Sequence, residues 1–339
     1  MKKLTIYDIS KTLNVSTSTI SKVLNETGSV SIKTRQKILD YIKSVDYVPQ
    51  ASARMLKSKR TYTIGVVFTE ESSVGLEHSF FSSILQHFKN EVEKEGYELS
   101  FIVSQLGKHK LSYREWCINK RVDGVYIVVG NYDDKGLYEL IDSGIPCISN
   151  DMILPNLCTV ISDNVKAMKT IMSYIKDDLK LTAVGYLSGP SKSKAFAERS
   201  KYFLEHARDY DFLVKPEWFA ETTGFGFNSG YSKTLEMLDK NNLPEILIVG
   251  SDDIALGTFK ALKKEGIRVP EDIQLIGFDD TAFAQHFEVP LTTIRQDRKT
   301  MGETAARTLI NIIEGNEESC KEIIKIPVKL IERETTIKK

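Results

Sequence analysis

No apolar run in the 339-residue sequence approaches the roughly 18 residues that a membrane span needs. The opening MKKLTIYDIS carries two lysines but no apolar stretch behind them, because Tyr7, Asp8 and Ser10 interrupt it. No export leader is therefore expected, and the expectation is a cytoplasmic protein with no membrane partner. Cysteine is scarce. Cys117, Cys147, Cys158 and Cys320 lie far apart without metal-ligand spacing, which predicts buried reduced thiols and no metal site. Catalytic signatures are missing too. There is no GxSxG elbow, Walker loop or HExxH, and the five histidines are scattered. GFGFNSG (224–230) has glycines at the wrong spacing for a dinucleotide fingerprint and no strand before it. Neither an enzyme nor a cofactor is expected.

Net charge is also absent, with 46 basic and 46 acidic residues, but the balance hides an asymmetry. Twelve basic residues precede position 61 against four acids (Asp8, Glu26, Asp40 and Asp46), a surplus of eight that the remainder reverses. A basic head on an acidic body suggests a polyanion bound at the head, with the body held off it. A solvated basic face would give the same count. The 41% hydrophobic content suits two or three domains with real cores.

In the head, Thr5 is a good N-cap, and Asp8 stands where a capping-box carboxylate belongs. Ile6, Ile9 and Leu13 then recur at helical spacing as far as Asn14, a residue that tolerates the left-handed conformation of a tight turn. Ser16 caps a second helix, about 17–25, whose Ile20, Val23 and Leu24 form one apolar stripe. A third helix begins near Ser31 and carries Ile38, Leu39, Ile42 and Val45. Two short helices joined by a tight turn, then a third, describe a helix-turn-helix unit. With the stripe facing inward, Thr17, Ser18, Ser21 and Lys22 face outward near the start of the second helix. Short hydroxyls bring backbone close to DNA, helix-terminal amides favour phosphate, and Lys22 can reach a guanine edge or a phosphate.

The stretch TIYDISKTLNVSTSTISKVLN resembles the head of the lactose-repressor/galactose-repressor family of bacterial transcription regulators. YVPQASARMLKSKRTYTIGVVF resembles that family's hinge and first core strand, and the likeness runs over essentially the whole chain. The resemblance implies a head over 1–48, a hinge helix and linker over 49–60, and a core over 61–339. The DNA-facing set is then Thr5, Ser16, Thr17, Ser18, Ser21, Lys22 and Asn25, with Ser52, Arg54, Leu56 and Lys57 in the hinge. So short a hinge helix is marginal alone and should order only when docked. The resemblance implies that two such helices enter the minor groove and that Leu56 wedges between base steps.

After Arg60, short apolar strands alternate with amphipathic helices. The strand candidates are TIGVVF (63–68), ELSFIV (98–103), GVYIVV (124–129), CISND (147–151), AVGYLSG (183–189), EILIVGSD (245–252) and IQLIGFDD (273–280). Alternating β and α predicts an α/β core of parallel sheets covered on both faces, in two lobes with a ligand cleft between them. The resemblance implies a periplasmic-binding-protein-like core whose chain crosses between lobes near Ser162, Pro290 and Ser319. That gives an N-lobe of about 61–162 and 291–319 and a C-lobe of about 163–290 and 320–333. GSDDIALG (250–257), VPEDIQLIGFDD (269–280) and PLTTIRQDRKTMG (290–302) carry the likeness furthest. Ser251 replaces the family's usual asparagine, and LKLT (179–182) stands where glycine-histidine is usual.

The family's effector positions map onto Phe80 or Phe81, Asp151, Asp163, Arg199, Trp218, Ser251 or Asp252, and Asp279, with Phe225 a further candidate to stack on a ring. Sugars suit aromatic faces combined with bidentate polar groups. Arg298 takes a place often apolar or aromatic in sugar-sensing relatives and suits a phosphate or carboxylate. The expected partners are double-stranded operator DNA, a small polar effector with a sugar as the leading class, and a second copy of the chain. A nucleobase, a phosphorylated metabolite and a protein co-regulator stay open. LIERETTIKK lacks a heptad repeat, so dimers rather than tail-joined tetramers are expected.

Overall fold

The computed structural model describes residues 4–24, 27–45, 47, 60–69, 76, 78–103, 105–150, 152–237, 239, 241–316 and 323–338. The chain divides into two units, Met1–Thr61 and Tyr62–Lys339.

The first unit holds three helices, α1 (Ile6–Leu13), α2 (Thr17–Leu24) and α3 (Ile32–Ser44). α1 starts on the expected capping box: the Asp8 amide donates to Thr5 Oγ1, and the Asp8 carboxylate accepts from the Thr5 amide at 2.8 Å. It stops at Asn14, which adopts φ 54. Ser16 Oγ accepts from the Thr19 amide at 3.1 Å and starts α2, and Ser31 does the same for Thr34 at 3.2 Å in α3. Ile9, Leu13, Ile20, Val23 and Ile38 meet in one small core. Leu39, expected on the apolar face of α3, is exposed instead, because the inward stripe runs through Ile38, Tyr41 and Ile42.

The second unit is a two-lobed α/β core. The N-lobe sheet has the order β13-β7-β6-β5-β1-β2, with every neighbouring pair parallel. Its strands are β1 (Thr63–Phe68), β2 (Glu98–Phe101), β5 (Gly124–Val129), β6 (Cys147–Asn150), β7 (Cys158–Ser162) and β13 (Ile323–Ile326). A separate hairpin, β3 (Gln105–Leu106) and β4 (His109–Lys110), stands apart from it. Helices α4 (Ser79–Lys94) and α11 (Arg298–Ile313) cover one face through Ile84, Phe88, Met301 and Leu309. α5 (Tyr113–Lys120) and α6 (Lys135–Ile141) cover the other through Trp116, Leu137 and Leu140. With both faces covered, β5, β6 and β7 are buried almost throughout rather than at alternate residues.

The C-lobe sheet has the order β14-β12-β11-β10-β8-β9 and is parallel except for the β12–β14 pair. Its strands are β8 (Val184–Ser188), β9 (Phe219–Glu221), β10 (Ile246–Val249), β11 (Gln274–Asp279), β12 (Thr292–Gln296) and β14 (Val328–Ile331). α7 (Asn164–Ser173) and α8 (Lys194–Asp209) pack on one face, and α10 (Asp252–Lys264) packs on the other. α9 (Phe227–Met237) lies against α10. α7 runs on as a π-helical turn, Tyr174–Leu179.

The chain passes from N-lobe to C-lobe between Ser162 and Asn164. It returns between β12 and α11, and crosses a third time at Pro327, the one residue between β13 and β14. Two expected boundaries therefore move. Residues 292–296, expected in the N-lobe, pair with β11 in the C-lobe sheet, and residues 323–326, expected in the C-lobe, pair with β7 in the N-lobe sheet. β12 is hard to see in sequence because its buried residues include Thr292 and Thr293, whose hydroxyls bond Arg333 O at 3.1 Å and Asp252 at 2.7 Å. Cys117, Cys147 and Cys158 are buried free thiols, and burial pushes the Cys117 thiol up to about 12. Cys320 lies outside the described residues.

Candidate functional site

On α2, Ser18 and Lys22 are exposed and four residues apart, so they share one outward face. Thr17 and Ser21 are half-buried beside them. The Thr5 and Ser16 hydroxyls are occupied as caps. Asn25, Ser52, Arg54, Leu56 and Lys57 lie outside the described residues.

A cleft of about 320 Å³ opens between the lobes of the core. Much of its polar lining stands at or just beyond the carboxyl ends of strands: Asn150 on β6, Ser251 after β10, Asp279 on β11 and Gln296 on β12. Open parallel sheets place ligands at such ends, where loops diverge and helix N-termini converge. The N-lobe adds His78, Phe80 and Phe81 from the start of α4, and Gly130, Tyr132 and Asp133 after β5. The C-lobe adds Ser191 to Phe196, Arg199, Phe225 and Asp253.

Arg199 is the most constrained cation in the cleft. It is 4% exposed, donates from Nε to Asn164 Oδ1 at 2.9 Å and from Nη1 to Gly250 O at 2.8 Å, and lies 3.6 Å from the centre of the Phe278 ring. A guanidinium has five donors, so this arrangement fixes its plane and leaves donors over. Asp279 has φ 118, a strained value for a residue with a Cβ. Gln296 Nε2 holds its carboxylate at 2.5 Å. Burial pushes the Asp279 carboxyl well up against the opposing Arg199 charge, and burial likewise pushes up Asp253, opposed by His78. The adjacent Asp280 is pulled below the usual carboxylate range: burial would raise it, but Arg333 and Arg295, each at 2.6 Å, outweigh that. The aromatic walls come from Phe81, whose centre is 5.2 Å from Phe80, and from Phe225, 6.0 Å from Phe196.

Of the expected effector residues, the cleft brings together Phe80, Phe81, Arg199, Phe225, Ser251 and Asp279. Four others do not line it. Trp218 is packed into the C-lobe, with Nε1 donating to Asn242 O at 2.8 Å, because its single donor finds a backbone acceptor there. Asp163 caps α7 through the Lys166 amide at 3.0 Å. Asp252 is fully buried behind the cleft, tying Thr281 and Thr293 together. Arg298 donates to Asp280 O at 3.0 Å and stays with the Asp279–Asp280 turn. Asp151 lies outside the described residues. Sequence reasoning missed Asn150, Lys192, Lys194, Asp253 and Gln296. Asn150 had a signal, standing near the end of the expected strand run CISND (147–151); the lysines had none.

The pattern of bacterial regulatory proteins, lacI family, matches residues 5–50, and that of a periplasmic binding protein-like domain matches residues 178–336. The HTH-type transcriptional repressor PurR of Mannheimia succiniciproducens is 30% identical over 338 residues, covering 98% of this chain and 99% of its own. This chain belongs to the lacI family of bacterial regulatory proteins. Another lacI-family relative, PurR of Serratia proteamaculans, is 31% identical over 335 residues, covering 97% of this chain and 96% of its own. The solved lac repressor dimer bound to operator and the anti-inducer ONPF is 25% identical with a TM-score of 0.82, covering 99% of this chain and all of its own. A CelR–cellobiose complex, 24% identical with a TM-score of 0.70, shares the fold over 98% of this chain and 99% of its own. The relatives are transcriptional repressors rather than enzymes. Among the described residues, no helix is long and apolar enough to cross a membrane and no cluster of side chains is built to hold a metal ion.

Proposed function

We propose that this lacI-family repressor binds a pseudo-palindromic operator as a dimer and releases or tightens its hold when a small polar molecule, most of all a sugar, occupies the interlobe cleft. The observation that carries the reading is the composition of the cleft wall. Both lobes contribute to it, so an occupant contacts both, and its binding free energy depends on how they are arranged. α2 presents Ser18 and Lys22 to the major groove, with Thr17 and Ser21 beside them, and Asn25 is assigned to the same contact. The hinge residues Ser52, Arg54, Leu56 and Lys57 belong to the minor-groove contact. Phe81 or Phe225 offers a ring face to a pyranose, and Arg199 and Asp279 offer paired donors and acceptors to its hydroxyls.

A second reading is favoured by the name PurR that the curated relatives carry: a purine stacked on the same aromatic walls, with Asn150 or Gln296 at its edge. One experiment tests both. Binding of the full-length protein to its own upstream region is followed by fluorescence anisotropy at fixed salt, with sugars and purine bases titrated in. A sugar that changes the midpoint supports the first reading, and a purine base the second. No change with either class refutes the effector assignment. Lys22→Ala should weaken binding to all sequences alike and lower the salt slope by about one if the ammonium meets a phosphate. An unchanged midpoint would take α2 out of the interface.

A further inference from the structure

The chain turns at Asp279 and Asp280 as it leaves β11, and both residues have positive φ, 118 and 52, although neither is glycine. Such backbone persists only where its surroundings fix it, and it gathers at sites that switch. Here side chains from three places fix it. Gln296 Nε2 donates to the Asp279 carboxylate at 2.5 Å. Arg295 Nε and Arg333 Nη2 donate to the two carboxylate oxygens of Asp280, each at 2.6 Å. Arg298 Nη2 donates to the Asp280 carbonyl at 3.0 Å. Three of these donors, Arg295, Gln296 and Arg298, come from one short stretch. Asp297, between the last two, is the one residue between β12 and α11.

The second passage between lobes therefore lies inside the bonding pattern of the turn. Gln296 ends β12 and belongs to the C-lobe. Arg298 begins α11, which packs on the N-lobe sheet through Met301 and Leu309 and belongs to the N-lobe. The bond from Arg298 to Asp280 O thus joins the lobes, while those from Gln296, Arg295 and Arg333 stay within the C-lobe and keep the carbonyl aimed. Rotation of the lobes about the passage swings the tip of so long a side chain out of range, because hydrogen bonding weakens steeply with distance and angle. The bond differs in strength between lobe arrangements, which is the condition for biasing them. Arg298 itself does not line the cleft, but Asp279, on the same turn, does.

We propose, resting on the reading that cleft occupancy alters the hold on operator DNA, that Arg298 is a positioning residue for that control: its bond to the Asp280 carbonyl clasps the lobes in one arrangement, and an occupant at Asp279 acts on the same turn. Arg298 touches no effector. It fixes how the lobes are arranged before any effector binds, and so it sets the operator affinity of the empty protein. A residue that worked by contacting the effector would leave that affinity unchanged.

The test compares the full-length protein with Arg298→Met, which keeps an apolar stem and removes every donor, and with Lys299→Met, which removes one positive charge from the exposed neighbouring position. Binding to the upstream region is measured by anisotropy at fixed salt, with no ligand added. Arg298→Met is expected to move the midpoint about threefold or more, and Lys299→Met to leave it in place. A weaker midpoint means that the clasped arrangement is the one that holds operator, and a tighter midpoint means that it is the one that releases it. The lobe arrangement is read as the distance between spin labels at Asp133→Cys and Ser191→Cys, exposed residues on opposite walls of the cleft, in a Cys320→Ser background. The distance distribution is expected to shift with Arg298→Met and not with Lys299→Met. A residue that only supports the fold would lower the thermal midpoint and move neither readout. Equal operator midpoints for the two variants, or a distance distribution that Arg298→Met leaves unchanged, overturns the proposal. Should both readouts shift while no ligand alters operator binding, the clasp stands and the effector reading falls.

Discussion

Asp252, at the first position of α10, accepts hydrogen bonds from the Thr281 amide at 2.7 Å, the Thr281 hydroxyl at 3.1 Å and the Thr293 hydroxyl at 2.7 Å. Burial nevertheless pushes its carboxyl up to about 7, with the bonds from Thr293 and Thr281 opposing and the Asp280 charge adding to the rise. The folded state therefore holds the Asp252 proton more tightly than the unfolded chain, whose carboxyl titrates near pH 4. Stability attached to this group is full below about pH 4 and is lost as the pH rises through about 7. Asp252→Asn keeps one acceptor for Thr281 and cannot ionise. It should flatten the decline of the thermal midpoint across that window, and parallel pH curves for the two proteins would refute the assignment. The same side chain shows why a motif gives a residue but not its role. GSDDIALG places two aspartates side by side, yet α10 turns Asp253 to the cleft and Asp252 into the core.

At the scale of elements, α9 and α10 touch backbone to backbone. A Cβ on Gly257 would stand 2.1 Å from Phe227 O, and one on Gly230 would stand 2.2 Å from Ile254 O. Neither neighbour can swing away as a side-chain tip can, so Gly257→Ala must push the helices apart, at a cost of roughly 1–3 kcal/mol. Urea unfolding should show the loss, and an unchanged midpoint would mean that the pair is looser than drawn. Their contact was not legible in sequence, because it depends on two small residues 27 positions apart meeting across a loop. The head was legible almost to the residue. Its determinants are local: the Thr5–Asp8 box, Asn14 and the Ile20–Val23 stripe each act within one turn. β7, β12, β13 and β14 escaped notice because they have four or five residues each and get their burial from neighbours distant in the chain. In the cleft, Arg199 and Asp279 were legible through the family pattern. Lys194 was not, since only the fold brings it to Tyr132.

For the whole molecule, effector control requires that occupancy of the cleft and occupancy of operator DNA be linked through one set of lobe arrangements. Linkage is reciprocal, so whatever factor the effector applies to operator affinity, the operator must apply to effector affinity. Measuring effector affinity with and without saturating operator DNA should return the same factor as the reverse titration. Unequal factors at equilibrium would mean that a further species, such as a change in oligomeric state, intervenes. The three passages of the chain between lobes have a consequence beyond this coupling. β13 and β14 close one edge of each sheet, and Pro327 alone separates them. Neither lobe is a continuous stretch of gene. Recombination between two relatives at a single point within the core therefore always leaves at least one sheet with strands from both parents: a junction near residue 163 moves the whole C-lobe but takes α11 and β13 of the N-lobe with it. An exchange that moves the C-lobe alone, and with it the α8 face of the cleft, needs three coordinated junctions, near residues 163, 297 and 327. Within this architecture, new effector specificity is reached more readily by point substitution in the cleft wall than by shuffling.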